Sequence, residues 1–130
     1  MNNFIRIKTF PLAEETSKII NAGLEIYKGL GFGFLEVVYK DAFEYEFKMR
    51  SIEYEREKKY KIKYKDTILP HQFNADFVVF QKVVLEIKAK TCIAEEDEAQ
   101  TINYLKCSGC KVGLILNFGR SKLDIKRMVF

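Results

Sequence analysis

The chain has one histidine and three cysteines in 130 residues, and each scarcity removes a class of function. Cys92, Cys107 and Cys110 make an odd count in a chain whose start, MNNFIRIKTF, lacks the layout of a secretory signal, which predicts free thiols rather than a disulfide framework. Cys107 and Cys110 form a CxxC pair, but the rest of a tetrahedral zinc ligand set is missing and His71 lies far off in sequence, so no metal or redox role is assigned to them. Long apolar runs are also absent. The longest are strand-sized, well short of the roughly 20 residues of a membrane span, so a cytoplasmic location and no membrane partner are expected. A net charge of +4 permits an anionic partner without demanding one. No repeat or low-complexity segment stands out. What is present is a globular composition, 48% hydrophobic, of a length that predicts one domain over residues 1–130.

Leu12, Ile19, Gly23, Ile26 and Leu30 recur at helical spacing behind Pro11, and Leu35, Val38, Tyr39, Ala42, Phe43, Phe47 and Met49 mark a second helix. Between them lie Gly29, Gly31 and Gly33. A nucleotide loop needs a strand before its glycines, and here a helix precedes them, so the reading is a helix stop and tight turn. EKKYKIKYK alternates, with Lys59, Lys61, Lys63 and Lys65 on one face and Tyr60, Ile62 and Tyr64 on the core side. DTILPHQ reads as a turn, and FNADFVVF and VVLEIKAK as a hairpin. A helix from about Ile93 to Cys107 opens with Glu95, Glu96, Asp97 and Glu98, which suits the positive end of its dipole, and stops at Gly109. VGLILNF is a strand buried on both faces, parallel to its predecessor through a right-handed crossover, and LDIKRMVF supplies one more strand. The order ααβββαββ predicts an α/β fold with a mixed central sheet flanked by helices.

Within this frame several polar residues interrupt apolar faces. In VVLEIKAK, alternation puts Val84, Glu86, Lys88 and Lys90 on one side and Val83, Leu85, Ile87 and Ala89 on the other. Asp76 sits in a segment otherwise dominated by apolar residues. With a plain Gln81-Lys82 loop it would face away from Glu86, whereas a three-residue connection such as Phe80 to Lys82, or one β-bulge, sets the two acids opposite one another, and that offset is the expectation. Carboxylates so placed repel unless a cation joins them, and oxygen ligands favour magnesium or manganese over zinc. Gln100 and Tyr104 stack on one face of the following helix, and Glu36 borders the apolar stripe of the second.

Asp76 followed by Glu86-Ile87-Lys88 resembles the D-(x)n-(D/E)xK signature of the PD-(D/E)XK nuclease superfamily, with Ala75 where the named pattern has proline. Gly33-Phe34-Leu35-Glu36-Val37-Val38-Tyr39 is similar to the motif of the GxxExxY protein family, and Gln100-Thr101-Ile102-Asn103-Tyr104 resembles the QxxxY motif of the RecB-like branch. The resemblance runs from about Ala13 to the end. It implies a restriction-endonuclease-like fold and a metal-dependent phosphodiesterase acting on nucleic acid, DNA in preference to RNA. Asp76, Glu86 and the Ile87 carbonyl would hold Mg2+ or Mn2+, with Glu36 as a further ligand directly or through water. Lys88 would orient the attacking water, and Gln100 and Tyr104 would position Lys88, the water or a phosphate. The lysine row Lys59, Lys61, Lys63 and Lys65, extended by Arg120, Lys122, Lys126 and Arg127, would track the phosphate backbone.

Plainer readings stand beside these: a cross-strand ion pair for Asp76, Glu86 and Lys88, and lysines that block aggregation at an edge strand. The alternative functions are a nuclease-fold module that binds nucleic acid or protein without cutting, and a homodimer or other self-associating structural domain, the last resting on 14% aromatic content.

Overall fold

The computed structural model describes residues 10–130, and residues 1–9, nearly all of the segment read for a secretory layout, lie outside them. Helices α1 (Ala13–Leu30) and α2 (Glu36–Met49) precede strands β1 (Tyr54–Tyr64), β2 (Thr67–Val79) and β3 (Val83–Lys88). Helix α3 (Glu95–Ser108) and strands β4 (Val112–Asn117) and β5 (Asp124–Val129) complete the order. The sheet runs β1-β2-β3-β4-β5, parallel only between β3 and β4, where α3 makes the crossover. The α/β architecture with a mixed sheet is therefore the one expected. Among the described residues no helix is long and apolar enough to cross a membrane.

The two sheet faces have separate cores, as the alternation requires. Val83, Leu85 and Ile87 join Ile19, Ile26, Tyr39, Phe43 and Phe47 of α1 and α2, whereas Val84 meets Tyr104 and Leu105 of α3. Strand β4 is buried at every position, the result of cover on both faces. Phe118 ties the first core together: its ring stacks on Tyr39 at 4.3 Å and meets Phe43 edge-on at 5.9 Å. Gly31 ends α1, donating its N–H to the Tyr27 carbonyl at 2.8 Å, so the glycines do serve as a helix stop and turn.

Three local expectations need correction. DTILPHQ is mostly strand: the turn is only Lys65-Asp66, and β2 begins at Thr67. Pro70 belongs to an irregularity in which Gln72 pairs with Lys61 and Ile68 with Lys63, leaving three β2 residues against one on β1. A proline is tolerated there because the unpaired stretch needs no N–H from it. Lys65 leaves the strand with a φ of 52°, and Tyr64 is 60% exposed rather than in the core. β3 stops at Lys88, so Lys90 belongs to the loop that leads to α3.

Candidate active site

The β2–β3 connection is the three-residue one, Phe80 to Lys82, with Val79 paired to Val83, Val78 to Val84 and Phe77 to Leu85. One step further the backbone ladder gives way to side chains. The Asp76 N–H donates to Glu86 Oε2 at 2.9 Å, and the Ile87 N–H donates to Asp76 Oδ2 at 2.8 Å. Each carboxylate satisfies a strand amide that the parting strands leave without a carbonyl, which is how two acids tolerate burial here. Asp76 is 8% exposed and Glu86 3%. Burial first, and the Asp76 charge second, push the Glu86 carboxyl up to about 8, against the Asp76 N–H and the charges of Lys88 and Lys40.

Lys40, one helical turn beyond Glu36 on α2, is a participant the sequence reading missed. Its Nζ lies 2.9 Å from Asp76 Oδ1, 3.4 Å from Glu57 Oε2 and 3.7 Å from Glu36 Oε1. Burial works against this ammonium, but the hydrogen bond and charge of Asp76, with the charges of Glu57 and Glu36, outweigh it and raise its pKa. Glu57 has a φ of 55°, a left-handed conformation unusual for glutamate, between Arg56 and Lys58, which pair with Phe77 and Ala75 on either side of Asp76. The kink in β1 thus falls beside Asp76, and no glycine or asparagine in the sequence announces it.

The GFLEVVY segment is organised by its ends. Gly33 has a φ of 108°, a region closed to most side chains. The Tyr39 hydroxyl accepts from the Phe34 N–H at 3.2 Å and donates to the Gly31 carbonyl at 2.8 Å, fixing the turn that starts α2. Glu36 is thereby held at the first position of α2, where its carboxylate faces Lys40.

On the α3 side, the acid that reaches Lys88 is Asp97, whose sequence signal was only that of a dipole-favoured helix start. Asp97 Oδ1 lies 4.0 Å from Lys88 Nζ, while Oδ2 accepts from Lys90 Nζ at 2.7 Å and from the Ala94 N–H at 2.9 Å. Burial tends to raise the Asp97 carboxyl, but the Lys90 hydrogen bond, the Ala94 N–H and both lysine charges prevail and hold it below the ordinary aspartate value. Its contribution to stability is therefore present above the unfolded pKa near 3.8 and is lost as pH falls below that value. Asp97→Asn is expected to flatten acid unfolding below pH ~4 and to slow any reaction that uses Lys88 by about tenfold, measured by acid titration of circular dichroism and by turnover.

Tyr104 is 8% exposed, stacked on Phe73 at 4.1 Å, and its hydroxyl is pushed up to about 12 by burial, then by the charges of Glu86, Asp76 and Glu57. Gln100 is exposed one turn earlier on the same helix. Lys59, Lys61 and Lys63 are exposed on the edge strand β1. Lys126 and Arg127 lie on β5, the opposite edge, where Arg127 bonds Thr16 Oγ1 at 2.6 Å, so they do not extend that row.

Among the described residues no cluster of three histidine, cysteine, aspartate or glutamate side chains is arranged to hold a metal ion. Two buried carboxylates set against one another are nevertheless oxygen donors of the kind that suit a hard cation such as Mg2+, which keeps waters and substrate oxygens among its ligands. No curated protein and no solved structure shows a significant match to the chain. The family model of the PD-(D/E)XK nuclease superfamily matches residues 13–128, a span that takes in every helix and all but the last residue of β5, and the chain belongs to that superfamily.

Proposed function

We propose that this chain is a metal-dependent phosphodiesterase that hydrolyses nucleic acid, DNA in preference to RNA, as one cytoplasmic nuclease domain of the GxxExxY type in the RecB-like branch. The observation that carries the reading is the end of the β2–β3 ladder, where Asp76 and Glu86 cross-bond each other's strands while Lys88 follows on the Glu86 face. Asp76, Glu86 and the Ile87 carbonyl would hold Mg2+ or Mn2+, with Glu36 as an outer ligand. When bound, the ion supplies charge that polarises the phosphoryl oxygen and acidifies a water. Lys88 holds the attacking water in line and offsets the charge that develops on the phosphate, steadied from behind by Asp97. Gln100 and Tyr104 would position Lys88, the water or a substrate phosphate, and Lys59, Lys61 and Lys63 steer the phosphate backbone from the edge strand, with Lys65 in the adjoining turn.

One observation favours a second reading. Lys40 already neutralises Asp76 at 2.9 Å, which suits a fold that binds nucleic acid without cutting it. Calorimetric titration with Mn2+ separates the two. The nuclease reading expects one ion bound, and Lys40→Met should tighten that binding by on the order of tenfold, because a competing and repelling charge is removed. The binding module would take up no ion, and its affinity for nucleic acid would be unchanged in excess chelator.

A further inference from the structure

Between α3 and the outer half of the β1–β2 hairpin lies an open cavity of about 540 Å3, and Phe73 in its wall stands three residues before Asp76 on β2. Its volume falls within the roughly 300–1,000 Å3 usual for small-molecule sites. Ile62, Phe73, Ala99 and Tyr104 provide its apolar surface, and Gln100 and Asn103 bring amides to it. Phe73 is the centre of a column of three rings, stacked on Tyr104 at 4.1 Å and 3° and against Tyr60 at 5.3 Å and 21°. Each ring is at least half-buried, Tyr104 within the core and Tyr60 and Phe73 packed against it. Tyr104 lines the cavity and belongs to the same core cluster as Ala75, the neighbour of Asp76 on β2, and Val84, two residues before Glu86 on β3.

We infer that this cavity is a nucleobase pocket, which receives an unpaired base of the substrate strand next to the phosphate to be cut and restricts the enzyme to single-stranded or frayed nucleic acid. The inference rests on the nuclease reading and names its substrate class. Phe73, with its faces covered by Tyr60 and Tyr104, presents its ring edge, and with Ile62 and Ala99 it makes an apolar wall that tolerates any base, while the two amides, each both donor and acceptor, match base edges that display both kinds of group. Lys106 at the rim offers a cation to a neighbouring phosphate, and Glu96 can accept from an exocyclic amino group. A base stacked within a duplex cannot enter a pocket walled by a sheet hairpin and a helix, so pairing excludes the substrate.

The cavity carries its own reporter. Cys107 lines it and is exposed, Cys110 is buried, and Cys92 is the other exposed thiol. In a Cys92→Ser background, maleimide labelling of Cys107 therefore reads occupancy without any need for turnover. The experiment compares a labelled oligonucleotide of mixed sequence, as a single strand and annealed to its complement, for binding by anisotropy, cleavage with Mn2+, and protection of Cys107. Ala99→Phe fills the cavity from an exposed helical position, and Asn103→Ala removes one amide. The expected result is a single-strand preference of about tenfold or more, protection of Cys107 by the single strand alone, and loss of both in Ala99→Phe. Mn2+ binding by that variant should stay at the parent value. If the parent binds or cuts nucleic acid but neither variant alters the preference and Cys107 labels equally fast, the pocket is refuted and the nuclease reading stands. If the parent neither binds nor cuts any nucleic acid, both are refuted.

Discussion

Glu86→Gln is expected to abolish cleavage, by about 10³-fold or more, and at the same time to raise the melting temperature of the metal-free protein at pH 8. The two effects have one origin. Glu86 is 3% exposed, opposite Asp76, and its carboxyl is pushed up to about 8 by burial and by that neighbour. Below the unfolded pKa near 4.5 both folded and unfolded states are protonated and the group costs nothing. As pH rises from there through about 8, the unfolded state ionises more readily than the folded one, and stability is progressively lost. Glutamine keeps an oxygen for the Asp76 N–H and removes the charge, so its advantage should be absent near pH 4.5 and reach about 1–2 kcal/mol, or roughly 5 °C, at pH 8. Thermal melts of both proteins in chelator from pH 4.5 to 8.5 measure it. A glutamine variant that melts lower than the parent at every pH would mean that Glu86 is a structural acid rather than one retained for cation binding.

Gly119→Ala is expected to cost about 3 kcal/mol or more. A Cβ at this position would run into the carbonyl and amide of Lys90, which are backbone atoms and cannot rotate aside. The close approach is built by Asn117, wholly buried, whose Oδ1 accepts from the Lys90 N–H at 3.0 Å and whose Nδ2 donates to the Lys90 carbonyl at 2.9 Å. The Phe118 N–H adds a bond to the Lys88 carbonyl at 2.8 Å. These contacts fix the exit of β3, and with it the stem of Lys88 and the path to Asp97. Urea unfolding should show the full loss. If the variant folds at all, its turnover should fall further than Lys90→Ala, because it displaces the Lys88 backbone as well. A Gly119→Ala protein with parental stability would show that the loop yields easily and that Lys88 is not held through it.

The register of the site was legible because it follows from loop length and alternation: once Phe80, Gln81 and Lys82 form the connection, Asp76 must come opposite Glu86. The crossover was legible because the apolar run of β4 admits cover on both faces only. Lys40 was hidden because an amphipathic helix shows a lysine next to its apolar stripe in the same way whether it points to solvent or to a buried acid. Glu57 was hidden because a left-handed glutamate has no residue signature. Asp97 was seen as one of four acids suited to a helix dipole, and nothing in sequence separates the one that turns inward from the three that do not. Pro70 misled in the opposite direction, marking a turn where an edge hairpin carries an irregularity. The long β1–β2 hairpin that results is what encloses the cavity against α3.

The central claim, that the Asp76 and Glu86 pair serves metal-dependent cleavage, is tested most directly by incubating labelled single- and double-stranded DNA and RNA at low salt with Mn2+ or Mg2+ against chelator, with Glu86→Gln beside the parent. The account predicts cutting by the parent that requires the metal, vanishes in the variant and falls chiefly on single-stranded DNA. Cutting that persists in chelator, or that the variant retains, would contradict it.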